Sequence, residues 1–271
     1  METQHSNSKL IDIHTHILPQ IDDGSQAVTQ SIEQLKLMNE AGVTDVICTP
    51  HYITNFYENN KEKIKQAAEK LIAEMRSENI PIKLHLAAEV LLNSKSLENI
   101  ETEKLTVNET NYVLVESEMS GFPADFKENL YYLIKAGFKP ILAHPERYSE
   151  VKRNPEIVED LMHRNVLMQI NAGSLLGHYG KECRKTAWKL LRSGWVHFMA
   201  SDNHCRNPEY ALAEAKMLVE HKIDQYTAEM LTYDNPRKLL ENEKINIFYL
   251  SDEKLESRKS LWSKLMERFG K

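Results

Sequence analysis

Short apolar runs alternate along the chain with longer stretches whose apolar residues recur at three- and four-residue spacing. The short runs predict seven strands: Leu10–His14, Thr44–Cys48, Lys83–Ala88, Tyr112–Val115, Pro140–Ala143, Leu167–Ile170 and His197–Ala200. The longer stretches predict amphipathic helices. Ile64, Ala68, Leu71, Ile72 and Met75 mark one buried stripe, and Phe126, Leu130, Leu133 and Ile134 mark another. Gly42, Gly137 and Gly194 each stand just before a strand, where a helix commonly ends on a left-handed residue. Repeated βα units of this kind predict an α/β fold with a parallel sheet covered by helices, either open or closed into a barrel. No linker rich in Gly, Ser or Pro divides the chain, so residues 10–250 read as one domain after an N-terminal tail, 1–9. Leu255, Leu261, Trp262, Leu265, Met266 and Phe269 predict an amphipathic tail helix over 251–271, packed on the body or on a partner subunit.

Charge and composition narrow the classes of function. The 271 residues carry 34 Lys+Arg against 40 Asp+Glu, a net charge of −6, with 11 His and 3 Cys. An acidic chain lacks the positive field on which nucleic-acid or anionic-membrane binding relies, so any phosphate must meet a local positive source. No apolar run approaches the roughly 18 residues of a membrane helix, and mean hydropathy is −0.51. Neither nucleic-acid binding nor stable membrane insertion is expected. The polar start, Met1 to Lys9, does not read as a signal peptide. Cys48, Cys183 and Cys205 are too few and odd in number for a disulfide framework, which points to the cytoplasm. Oligomerisation stays open.

Polar residues gather at the ends of the predicted strands. The first strand leads into His14-Thr15-His16 and Asp22-Asp23-Gly24, and the second into His51. The third ends at Glu89, the fourth at Glu116, the fifth at His144, the sixth at Asn171, and the seventh at Asp202-Asn203-His204. The C-terminal ends of parallel strands open into one mouth, where sites form. Residues two apart on a strand share a side, so His14 with His16, and Asp202 with His204, can each reach one ion. Glu89 and Glu116 follow apolar strands, where a buried carboxylate needs a cation or several donors. Each pair alone could be ordinary surface or salt-bridged side chains. Together, His14, His16, Asp23, His51, Glu89, Glu116, His144, Asp202 and His204 predict a site for several ions. Nitrogen and oxygen ligands without thiolate suit manganese, iron, magnesium or zinc. His5, His85, His163, His197 and His221 lie away from that edge, and His178 could line its mouth.

Clustered divalent ions lower the pKa of a shared water, so the predicted chemistry is hydrolysis by attack of a metal-bridging hydroxide. A phosphoester also needs cations for its oxygens, and Arg147 and Arg206 follow His144 and His204 closely enough to supply them. Tyr52, Phe56, Tyr57, Phe122 and Tyr148 could wall an aromatic substrate. Other mechanisms fail on spacing. A cysteine-dependent phosphatase needs Arg six positions after its nucleophile, where this chain has Thr54, Lys189 and Ala211. There is no G-x-x-x-x-G-K-[ST] stretch and no G-x-S-x-G elbow.

Several motifs now combine. His14-Thr-His16, Ile21-Asp-Asp23-Gly24-Ser25, Thr49-Pro-His51, Ala88-Glu89-Val90, His144-Pro-Glu-Arg147-Tyr148, Gln169-Ile-Asn171-Ala-Gly-Ser174-Leu-Leu-Gly-His178 and Ser201-Asp202-x-His204 resemble the polymerase and histidinol phosphatase (PHP) superfamily. Within it they resemble the bacterial protein tyrosine phosphatases of capsule and exopolysaccharide synthesis. The resemblance runs from about Leu10 to Asn235-Pro236-Arg237-Lys238, and the departures at Gln20 and Cys205 remove no ligand. It implies a distorted seven-stranded, TIM-like (β/α) barrel of the PHP type with three divalent ions, usually manganese. It further implies hydrolysis of phosphotyrosine in the C-terminal tyrosine cluster of a bacterial tyrosine kinase. Carried over, His14, His16, Glu89 and Asp202 would hold one ion, Glu89, Glu116 and His144 a second, and Asp23, His51 and His204 a third. Arg147, Arg206 and Tyr148 would bind substrate, with Arg206 or a metal-bound water assisting departure.

Two other classes stay open on sequence: a small-molecule phosphoesterase such as a histidinol-phosphate phosphatase or related nuclease, and a non-enzymatic metal-binding partner of a polysaccharide kinase. A metal-dependent amidohydrolase shares the His-x-His start, but the paired Asp202-x-His204 and the count of seven strands disfavour it.

Overall fold

A computed structural model describes residues 9–206 and 209–248. Among the described residues nine strands are formed: β1 (Leu10–Thr15), β2 (Val43–Cys48), β3 (His51–Tyr52), β4 (Lys83–Leu86), β5 (Glu89–Leu91), β6 (Tyr112–Glu116), β7 (Lys139–Ala143), β8 (Leu167–Asn171) and β9 (Phe198–Ala200). The helices that matter for the site are α1 (Val28–Glu40), α2 (Lys61–Ser77), α3 (Ser94–Thr102), α4 (Phe126–Lys135), α5 (Ser149–Arg153), α6 (Ile157–His163), α7 (Ala172–Leu176), α8 (Lys181–Arg192) and α9 (Ala211–Lys222). The tail helix expected over 251–271 lies outside the described residues.

The strands form two sheets, β1-β2-β4 and β3-β5-β6-β7-β8-β9, and every pairing is parallel. The expected seven become nine because two of them break and resume. Thr49-Pro50 separates β2 from β3, since proline lacks the N–H a ladder needs. Ala87-Ala88 separates β4 from β5. Backbone bonds span both breaks, from Ala87 N to Cys48 O (3.0 Å) and from Glu89 N to Pro50 O (3.1 Å). On the other side, His16 N donates to Asn203 O and Asp202 N to His14 O, both at 2.9 Å, so the end of β1 meets the segment after β9.

Both faces of the strands are buried, as a parallel sheet requires. Val113 and Val115 of β6, Leu142 of β7, Met168 and Ile170 of β8 and Met199 of β9 pack outward under the helices. Tyr112, Leu114, Ile141, Leu167, Phe198 and Ala200 belong to a second apolar cluster on the opposite face. The period of two then carries that inner face from apolar to polar side chains at Glu116, Gln169, Asn171 and Asp202. The helices fall where periodicity places them. In α2, Ile64, Ala68, Leu71 and Met75 are buried, and in α4, Phe126, Leu130 and Leu133. Gly42, Gly137 and Gly194 all have positive φ just after helices.

Candidate metal centre

The C-terminal strand ends bring all nine predicted ligands into one cleft or its floor. Glu89 Oε2 is the hub: it lies 3.1 Å from His14 Nε2, 3.3 Å from His16 Nε2 and 3.2 Å from His51 Nδ1. Asp202 Oδ1 stands 3.4 Å from both His14 Nε2 and His16 Nε2. Glu89 Oε1 meets His144 Nε2 at 2.9 Å, and Glu116 Oε1 meets His51 Nδ1 at 2.9 Å. Asp23 Oδ1 lies 3.5 Å from His51 Nε2 and 3.4 Å from His204 Nε2. Three sets have donor atoms within 4.8 Å of one another: His14, His16 and Glu89; His51, Glu89 and Glu116; and His16, Asp23, His51 and His204.

The grouping differs from the expected one at His51 and His144. His51 faces two sets, one through each ring nitrogen, while His144 reaches only the far oxygen of Glu89. Neutral imidazole offers one lone pair, so His51 can serve one ion at a time.

Donor chemistry fits cations. His14 Nδ1 bonds Gln169 Oε1 at 2.8 Å, and His16 Nδ1 bonds Asp22 Oδ2 at 2.7 Å. Both partners are acceptors, so each Nδ1 carries the proton and each Nε2 turns a lone pair inward, the arrangement typical of metal-bound histidine. Those two Nε2 atoms sit 3.2 Å apart. Two facing lone pairs repel unless a proton or metal ion lies between them. Asp23 Oδ1, Glu89 Oε2, His51 Nδ1 and Asp202 Oδ1 are buried and make no hydrogen bond despite these short approaches, so they converge on shared space rather than on one another.

The titration behaviour follows from this crowding. Burial alone would lower His14, but the Glu89 and Asp202 carboxylates outweigh it and raise the imidazole to about 9. His16 is driven up against burial by the Asp202, Asp22 and Glu89 carboxylates around it. Burial resists ionisation of Glu89, yet His14 and His51 hold its carboxyl well below the usual range. The neighbouring His204 imidazole does the same for Asp23. The cluster therefore demands positive charge, which protons or divalent ions can supply.

Strain marks the same positions. His144 (φ 35°) and Asp202 (φ 53°) adopt left-handed backbone that β-carbon sterics disfavour, and His144 does so before Pro145. Gly24 has the opposite role, since a β-carbon there would lie 2.1 Å from His16 O. Only glycine lets the Asp22-Asp23 turn close over His16.

Comparison with known proteins agrees with this architecture. A family model described as "Capsular polysaccharide synthesis, CpsB/CapC" matches residues 10–241. The chain belongs to the CpsB/CapC family. CapC of Staphylococcus aureus is 32% identical over 240 residues, covering 88% of this chain and 93% of CapC. The tyrosine-protein phosphatase YwqE of Bacillus subtilis is 31% identical over 238 residues, covering 87% and 93%. A solved structure from work on YwqE and on CpsB of Streptococcus pneumoniae, described as metal-dependent tyrosine phosphatases, superposes with TM-score 0.83 at 30% identity. It covers 88% of this chain and 96% of that one. A phosphotriesterase homology protein of Escherichia coli shares the fold alone, with TM-score 0.55 at 13% identity.

In this CpsB/CapC chain the two arginines differ in their setting. Arg147 Nη1 bonds Asp202 Oδ2 at 2.9 Å, and its guanidinium lies 4.7 Å from the Tyr179 ring centre. Arg206 is 60% exposed at the rim, where Nη2 bonds Asp23 Oδ2 at 2.7 Å. Both line a cleft of about 650 Å³ together with Asp23, His51, Glu89 and Asp202.

Tyr148 is a correction. The expectation placed it against substrate, but it is fully buried, and its hydroxyl accepts the Ser117 N–H at 3.0 Å. Its ring packs 5.5 Å from that of His144 and so supports a site residue instead. Of the other candidate walls, Tyr52 is buried, Phe122 packs edge-on against Tyr148, and Tyr57 lies over His51 at 6.1 Å. His178 does line the cleft.

Asp12, Glu146 and Gln169 carry no predicted role, and Asp22 and Asn171 no more than a strand-end position. Asn171 Nδ2 donates to Asp202 Oδ2 at 2.6 Å, and Gln169 Nε2 donates to Asn171 Oδ1 at 2.9 Å. Asp12 Oδ1 accepts the Ser201 N–H at 3.0 Å, and Glu146 Oε1 accepts the Asn171 N–H at 2.9 Å. The available signal was the alternation of Leu167, Gln169 and Asn171, which puts two amides in line with inward-facing apolar residues.

Proposed function

We propose that this chain is a divalent-metal-dependent protein tyrosine phosphatase acting on the C-terminal tyrosine cluster of a bacterial tyrosine kinase in capsule or exopolysaccharide synthesis. The observation that carries the reading is the convergence of nitrogen and oxygen donors: His14, His16, Asp23, His51, Glu89, Glu116 and His204 fall into three groups, Asp202 stands 3.4 Å from His14 and His144 2.9 Å from Glu89, and five buried atoms of these nine residues make no hydrogen bond. The shared family and the named activity of YwqE support it. We read residues 10–250 as one domain in which the two sheets act as a distorted seven-stave barrel, working in the cytoplasm. Among the described residues no helix is long and apolar enough to cross a membrane.

Three ions, manganese first among the candidates, would be held by His14, His16, Glu89 and Asp202, by Glu89, Glu116 and His144, and by Asp23, His51 and His204. Such ions lower the pKa of coordinated water toward neutrality and draw charge from phosphoryl oxygens. The chain's own residues do the rest. Asp22 and Gln169 hold His16 and His14 in register. Arg147 and Arg206 both line the cleft and would neutralise the phosphate's remaining charge. A tyrosine phenolate, with a parent pKa near 10, departs with less proton assistance than a serine alkoxide.

The test is hydrolysis of a phosphotyrosine peptide with and without manganese. Activity should rise with manganese, vanish in EDTA, and fall by about 10²-fold or more in His144→Ala and Asp202→Ala. Variants as active as the parent, or parent activity indifferent to EDTA, would refute the reading.

A further inference from the structure

The cleft carries an apolar feature that phosphate chemistry does not require. Among the described residues lining it, only Met119 and Tyr179 are large apolar side chains left exposed, each at 39%. Ile53, Leu91 and Tyr210 also border the cleft but are only partly exposed, and carboxylate, imidazole and guanidinium groups surround them. Scattered exposed apolar residues are unremarkable on a protein surface, but two on the lip of an ionic cleft call for an occupant.

Strand order explains their placement. In the sequence β6-β7-β8 across the sheet, the loop after β7 carries Arg147, and the loops after β6 and β8 lie on either side of it. Met119 follows β6 by three residues, and Tyr179 follows β8 beyond α7. Met119 is pinned to the Arg147 side, because its carbonyl accepts the Ser149 N–H at 3.0 Å. The Tyr179 ring is pinned from the other side by the Arg147 guanidinium over it. Gly173 makes this seat, since a β-carbon there would come within 3.1 Å of Tyr179 Cε2.

We propose that Met119 and Tyr179 form an aryl slot flanking Arg147, which holds the ring of an aryl phosphomonoester while the arginine holds its phosphate, and so select aryl over alkyl esters. Methionine sulfur and an aromatic face are both favourable neighbours for a phenyl ring. A short alkyl phosphate would reach the same guanidinium without filling the slot. This inference rests on the phosphatase reading for its substrate, but its test does not depend on turnover.

Binding of phenylphosphonate and methylphosphonate to the manganese-loaded full chain would be measured by calorimetry. The parent should prefer phenylphosphonate. Met119→Ala and Tyr179→Leu should each weaken phenylphosphonate by about five- to tenfold and leave methylphosphonate within about twofold. Tyr179→Phe keeps the ring and should keep the aryl preference, even where affinity for both ligands drops. Manganese content and melting temperature of each variant, matched to the parent, show that the fold is intact. Equal weakening of both ligands would make the two residues mere supports of Arg147 and overturn the slot, as would a parent without aryl preference. If the aryl preference behaves as expected but phosphotyrosine peptide is not cleaved, the slot stands and the phosphatase reading falls.

Discussion

His14 and His16 each engage one ring nitrogen outside the cluster, on Gln169 and Asp22, and this decides what the other nitrogen can do. Asp22 is the more heavily used partner. Its Oδ2 also accepts the His51 N–H at 3.1 Å, and its Oδ1 accepts the Gly24 N–H at 2.9 Å. One carboxylate thus orients two of the proposed ligands and the turn that carries a third, Asp23. Replacing Asp22 with Ala should weaken manganese binding by about 10- to 100-fold, measured by calorimetry on the metal-free chain. Affinity unchanged from the parent would remove Asp22 from the supporting shell. On sequence, Asp23 is singled out as a ligand and its neighbour Asp22 is given no part. Only the folded turn sends one toward His16 and the other toward His204.

At the scale of elements, strand ends and helix faces follow the period of the sequence, whereas breaks in the strands do not. His197, just before β9, shows how a histidine at the wrong end of a strand becomes structural. Its Nδ1 accepts the Met168 N–H at 3.0 Å, and its Nε2–H donates to Ile247 O at 2.8 Å. Only neutral imidazole can do both. Burial pushes this group from 6.5 down to about 4. Below 6.5 the unfolded chain takes up a proton that the folded chain refuses until about 4. Its stabilising contribution is therefore complete above 6.5 and is lost as pH falls from there through 4, by about 3 kcal/mol. Urea unfolding of the parent and of His197→Gln between those limits should show a shallower pH dependence in the variant. Identical slopes would assign the acid lability to other groups.

Across the whole molecule, the net charge of −6 takes on a local meaning. Four acidic side chains, Asp23, Glu89, Glu116 and Asp202, surround imidazoles of which His14 and His16 are pushed toward the charged state. Filling it with divalent ions should stabilise the fold: at a concentration about 100 times the Kd, one site contributes about 2.7 kcal/mol. The melting temperature should rise with manganese and return to the metal-free value in EDTA, with a smaller rise in Asp202→Ala. A melting curve insensitive to manganese would argue against a preformed metal centre. Alternating apolar and polar positions were enough to predict parallel βα units, because strand and helix periods are local consequences of backbone geometry. The gathering of the nine side chains was legible for a related reason: parallel strands deliver their C-terminal ends to one edge, whatever the packing. Tertiary structure alone decided that Tyr148 turns inward, that His51 rather than His144 faces Glu116, that Asp22 and Gln169 orient imidazoles, and that Met119 and Tyr179 flank Arg147. Those outcomes depend on contacts between residues distant in the chain, set by side-chain direction and close packing, which spacing along a sequence does not encode.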